Sequence, residues 1–83
     1  MSYRVSLEPS ALRQIGGLPG DVFDMLVNLL VRVSEDPFNP VLSSPTGVPR
    51  RRAADLGESG FVVFAVDEDA GLIRVYDLIW AGA

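Results

Sequence analysis

The sequence contains no cysteine, no histidine and no lysine. Without cysteine there is no disulfide framework, and without cysteine or histidine there is no zinc site of ordinary composition. Catalysis that needs a thiolate nucleophile or an imidazole base is excluded with them. Aromatic residues make up only 8% of the chain. The longest uninterrupted apolar run, Phe61 to Val66, falls far below the ~20 residues that span a bilayer. Met1 to Ser6 lack the apolar stretch and small-residue cleavage site of a secretory signal. These absences lead us to expect a cytoplasmic protein that does not engage a membrane and binds no metal or cofactor.

What remains is a chain of 83 residues, 48% hydrophobic and 22% charged, with a net charge of −4. That length supports one core, so residues 1–83 are read as a single domain. The apolar content is too high for a disordered chain. The acidic balance argues against a protein that coats nucleic acid by bulk charge.

Tyr3 to Leu7 alternates polar and apolar residues, as a half-buried strand does. Pro9 suits the first turn of a short helix that carries Ala11, Leu12 and Ile15 on one side and Arg13 and Gln14 on the other. Gly16-Gly17 stops it, with a left-handed glycine expected at its end. The longest element runs from about Pro19 to Glu35. Asp21, Asp24, Asn28, Arg32 and Glu35 form its narrow polar stripe, and the rest is apolar. That wide apolar arc either wedges between a sheet and the first helix or binds a partner. Phe38 to Pro49 holds three prolines among serine, asparagine and glycine, and is expected to be an irregular loop. Three strands follow, at Arg50 to Leu56, Phe61 to Val66 and Leu72 to Trp80, joined by Gly57–Gly60 and Asp67–Gly71 turns. The expected fold is α+β: an N-terminal strand, a helical hairpin and a three-stranded antiparallel meander.

Arg50, Arg51 and Arg52 open the first strand of the meander. Guanidinium groups recognise phosphate bidentately, so the triplet either holds a nucleic-acid backbone or an acidic peptide, or blunts a strand edge. Strict alternation along the last strand puts Arg74, Tyr76, Leu78 and Trp80 on one face, and Ile73, Val75, Asp77 and Ile79 on the other. The first face reads as a stacking and phosphate-contacting surface. Alternatively, Leu78 and Trp80 complete a small second core or a homodimer contact. Asp67-Glu68-Asp69 lacks the ligand spacing of a calcium loop, and Gly71 accounts for it as a turn. The serines lie outside any Gly-x-Ser-x-Gly elbow.

Several segments carry a resemblance. These are Leu7-Glu8-Pro9-Ser10-Ala11, the Leu18-Pro19 break, Glu35-Asp36-Pro37, Gly60-Phe61-Val62-Val63-Phe64-Ala65-Val66-Asp67-Glu68 and Ile73-Arg74-Val75-Tyr76. In order and spacing they resemble the RelE/ParE superfamily of type II toxin–antitoxin toxins. The resemblance implies an antitoxin partner that wraps the toxin. In the RelE-like branch it implies cleavage of messenger RNA on the ribosome, and in the ParE-like branch inhibition of DNA gyrase. Arg50, Arg51 and Arg52 would take the role of the family's basic residues after the loop. The strand Phe61 to Val66 lacks the family's arginine. With the sequence ending at Ala81-Gly82-Ala83, the terminal arginine and tyrosine of RelE-like ribonucleases are expected to be missing, leaving Arg74 and Tyr76 as the nearest substitutes. Two functions follow. One is an RNA-cleaving toxin with a degenerate site at Arg50, Arg51, Arg52, Arg74 and Tyr76. The other is a non-catalytic module of the same fold that binds a protein partner, as a gyrase inhibitor would, through an exposed Leu78 and Trp80 face and the arginine triplet.

Overall fold

Pro9 opens the first helix, where its missing N–H has no intrahelical partner to lose. In the computed structural model, which describes residues 2–81, the elements run β1 (Arg4–Leu7), α1 (Pro9–Ile15), α2 (Gly20–Glu35), β2 (Ser44–Pro45), β3 (Arg51–Leu56), β4 (Gly60–Asp67) and β5 (Leu72–Trp80). The α+β order expected from sequence is the one observed. No helix among the described residues is long and apolar enough to cross a membrane. The end at Ala81-Gly82-Ala83, on which the expected loss of a catalytic arginine and tyrosine rests, lies at and beyond the limit of the described residues.

The five strands form one mixed sheet in the order β1-β5-β4-β3-β2. The meander β3–β4–β5 is antiparallel, and β5 returns beside β1 in the parallel sense. Two local expectations need correction. The segment between Phe38 and Pro49 is not wholly irregular, because Ser44 and Pro45 pair with Ala53 and Arg52. Proline lacks an N–H but is tolerated on an edge strand, and β2 is the edge. Gly16 ends α1 with a right-handed φ of −62°, and the turn is closed by the Gly17 and Leu18 N–H groups donating to Gln14 and Ile15 carbonyls.

Both helices lie on one face of the sheet, α1 over β5 and β1 and α2 over β1 and β3. There Ala11, Val22, Leu26 and Val33 meet Ala54, Leu56, Val62, Phe64, Ile73 and Val75 in one core. The apolar arc of α2 is wider than the surface it covers. Phe23, Val27 and Val31, at helical spacing, stay 42–52% exposed. Leu12, expected beside Ala11 and Ile15, points away from the sheet and is exposed.

The parity of β5 is also corrected. Val75 pairs with Phe64 but Asp77 with Val63, so Tyr76 is an extra residue with no partner on β4. A bulge of this kind shifts the alternation by one. Beyond it Leu78 pairs with Val62 and turns inward, leaving Leu78 only 3% exposed in the core. Trp80 follows it to that face and packs half-buried against the core, while Ile79 points out. Leu78 is therefore no exposed partner-binding residue. The Leu78 N–H, next to the bulge, is taken up by Gln14 Oε1 of α1 at 2.9 Å.

Candidate functional site

The sheet face opposite the helices carries the basic residues. Arg51 of β3 and Arg74 of β5 both pair with Ala65 of the intervening strand, and residues paired across a sheet share a face. Strands lie ~4.8 Å apart, so the two arginine backbones stand ~10 Å apart with a methyl group between them. The row Arg51–Ala65–Arg74 thus forms the floor of a groove of about 1040 Å³. The β2–β3 connection, with Val48, Pro49 and Arg50, makes one wall, and Asp67, Glu68 and Asp69 of the β4–β5 turn make the other. Phe38 and Tyr76 also line it.

All five basic and aromatic residues singled out from sequence as catalytic candidates, Arg50, Arg51, Arg52, Arg74 and Tyr76, line this groove. They are held differently. The Arg51 guanidinium lies 4.1 Å from the centre of the Tyr76 ring, a distance at which the ring face attracts the cation. Alternation from Arg74 keeps Tyr76 on this face, and the bulge begins at Tyr76 itself. Arg74 Nη2 lies 3.7 Å from Asp67 Oδ2, and both side chains are about 40% exposed. Such a pair orients the guanidinium and adds little stability. Asp67 is fixed in turn by accepting the Ala70 N–H at Oδ1.

Arg52 shares the triplet with Arg51 but not its surroundings. Alternation turns it toward the opposite face, over the 37–45 loop. Its Nε donates to Ser43 Oγ at 2.8 Å and its Nη2 to the Ser43 carbonyl at 3.0 Å. The buried Ser43 hydroxyl donates onward to the Pro37 carbonyl, and the Arg52 guanidinium lies over Phe38. Arg52 therefore ties the long loop to β3. Arg50, at the hairpin tip, forms no side-chain hydrogen bond or ion pair among the described residues.

Sequence reasoning missed Ala65, Asp67 and Ser43. Ala65 had a signal, as the smallest residue in the run Phe61 to Val66. Asp67 was absorbed into a turn, which it does form, and its second role toward Arg74 depends on the register. Ser43 had no local signal at all. Trp80 lies away from the groove, beside a smaller cleft of about 310 Å³ that it shares with Gln14 and Leu18. Among the described residues, no group of three or more His, Cys, Asp or Glu side chains is placed to hold a metal.

No protein-family model and no curated protein sequence matches this chain. Solved structures do. The toxin chain of the Escherichia coli RelBE toxin–antitoxin complex superposes with a TM-score of 0.85 at 23% identity, covering 99% of this chain and 100% of its own. That of the Mycobacterium tuberculosis RelBE2 complex gives 0.84 at 15% identity, over 98% and 100% of the two chains. A YoeB/ParE toxin from Agrobacterium tumefaciens gives 0.81 at 9% identity, over 95% and 99%. At these identities, what the chain shares with the RelE, YoeB and ParE toxins is their fold.

Proposed function

We propose that this chain is the toxin of a type II toxin–antitoxin pair and that its arginine groove receives single-stranded RNA. The observation that supports this reading is the convergence of Arg51 and Arg74 over Ala65, with Tyr76 beside them, on the sheet face that no helix covers. Guanidinium groups bind phosphate oxygens in pairs, and exposed aromatic rings stack unpaired bases. Duplex RNA would bring a second line of phosphates toward Asp67, Glu68 and Asp69, so the opposed walls favour a single strand.

Cleavage would proceed by attack of a 2′-hydroxyl on the adjacent phosphorus, expelling the 5′ oxygen. Negative charge builds on the non-bridging oxygens, and Arg51 and Arg74 stabilise it; a preorganised donor of this kind contributes ~10²–10³ in rate. One proton must leave the attacking hydroxyl and another must reach the departing oxygen. With no histidine in the chain, the Asp67 carboxylate beside Arg74 and the Tyr76 phenol beside Arg51 would carry them.

An antitoxin is the protein partner in this reading. Its support is the fold shared with toxins crystallised as RelBE or RelE–RelB complexes, together with the uncovered ridge Phe23, Val27 and Val31 on α2. An exposed apolar ridge is where a partner gains most by burial.

Regulated expression in bacteria, with growth and transcript ends followed together, tests the reading. We expect growth arrest with new transcript ends, both abolished in the Arg51→Ala/Arg74→Ala double variant. Arrest with intact transcripts would overturn the RNA reading and favour the second one, a non-catalytic inhibitor such as one of gyrase, which DNA supercoiling in the same cells would reveal. That alternative draws on the three carboxylates in the groove wall, which offset much of its positive charge.

A further inference from the structure

Arg50 combines two properties found in no other residue of the groove. It is the arginine the protein does not hold: Arg51 stacks on Tyr76, Arg52 binds Ser43 and Arg74 pairs with Asp67, while Arg50 has no side-chain partner among the described residues. It is also the only non-glycine residue with positive φ, at 67°, among the described residues. The chain turns there through Val48-Pro49-Arg50-Arg51, closed by the Arg51 N–H donating to the Val48 carbonyl at 3.1 Å. Proline second and a positive φ third is the pattern of a type II turn, whose third position favours glycine or asparagine. The described chain meets this need with glycine at Gly47, Gly57 and Gly71. At position 50 it keeps a long cationic side chain in a conformation that disfavours one. Strain of this kind concentrates where a side chain has to face a ligand.

We propose that Arg50 is the capture arm of the groove, contacting the phosphate next to the one clasped between Arg51 and Arg74. This rests on the reading of the groove as a single-stranded RNA site and adds to it a division of labour. Arg51 and Arg74 are preoriented and define where one phosphate sits. Arg50, exposed at the hairpin tip, is free to follow the strand as it enters. A charge that merely kept the β2 edge from aggregating could sit in any exposed position of the hairpin and would not require the left-handed one.

The test uses two variants that relieve the backbone and remove the charge, Arg50→Gly and Arg50→Asn. Binding of a fluorescein-labelled single-stranded oligouridylate is followed by anisotropy over a salt series, and thermal unfolding is recorded on the same samples. For both variants we expect a Tm at or up to about 4 °C above that of the parent chain. We expect affinity to fall about five- to tenfold, and the slope of log K against log salt to shrink by about 0.7, one phosphate contact on a single strand. Parent-like affinity and slope in both variants would overturn the role of Arg50 alone. A lowered Tm in both would show that the fold needs the arginine there, and would overturn it too. Failure of the parent chain to bind at low salt would overturn the RNA reading itself, and this proposal with it.

Discussion

Val62, Phe64, Ile73 and Val75 point to the helix-covered face of the sheet, and their strand neighbours Val63, Ala65, Arg74 and Tyr76 point to the open one. The covered face is aliphatic apart from Phe64 at its centre and Trp80 and Arg52 at its ends, and closes against α1 and α2. The open face mixes cations, carboxylates and two aromatic residues, and leaves Phe61 and Ile79 near 40% exposed. Alternate residues of the same strands thus serve opposite ends, stability on one side and recognition on the other. Period-two alternation makes this possible in so small a chain, because a strand can change one face without disturbing its neighbour.

The sharpest way to break this comparison is a substitution on the covered face. Phe64 is wholly buried, and Phe64→Ala should cost about 3–5 kcal/mol, a large share of the ~5–15 kcal/mol that holds a domain of this kind together. Urea unfolding measures it. A loss below about 1 kcal/mol would mean that the covered face does not carry the fold.

The arginine triplet tests the comparison within three residues of chain. Arg52 gives two charge-assisted hydrogen bonds to Ser43 in a half-buried setting, so Arg52→Ala should cost about 1–3 kcal/mol by leaving a buried acceptor unmet. Arg51 is exposed and lies over the face of the half-buried Tyr76 ring, and Arg51→Ala should cost under about 1 kcal/mol. Its effect should appear instead as about tenfold weaker RNA binding. Equal stability losses in the two variants would erase the distinction drawn between them.

These contrasts were only partly legible in the sequence. The helices, the meander and both turns follow from periodicity and from proline and glycine, and each lies within a residue or two of its expected place. The gathering of Arg50, Arg51, Arg74 and Tyr76 into one groove was implied by strands that were read correctly. Two features escaped for physical reasons. A two-residue strand such as β2 spans a single period of alternation and leaves no repeating pattern. The bulge leaves only an indirect one. Strict alternation would have placed Asp77 among the aliphatic residues under the helices, where an unpaired carboxylate is costly, and that conflict was the available sign that the strand breaks step.

The bulge offers the smallest expected effect on stability and the finest test of the comparison. Tyr76 has no cross-strand partner. With it removed, the order Val75-Asp77-Leu78-Ile79-Trp80 alternates without interruption, still sending Val75, Leu78 and Trp80 inward and Asp77 and Ile79 outward. Deleting Tyr76 therefore restores a regular strand with every other residue on its present face. We expect the deletion variant to unfold cooperatively within about 1 kcal/mol of the parent, since the bulge adds one unpaired residue to a ladder that closes without it. The open face should suffer alone, because Arg51 loses the ring that orients it and RNA binding weakens as in Arg51→Ala. Substituting Tyr76→Ala keeps the bulge and removes only the ring, so agreement of the two variants in binding assigns the loss to the ring. A deletion variant that fails to fold would show that the bulge serves the core, through the Gln14 contact to Leu78, and that the two faces are less independent than their alternation implies.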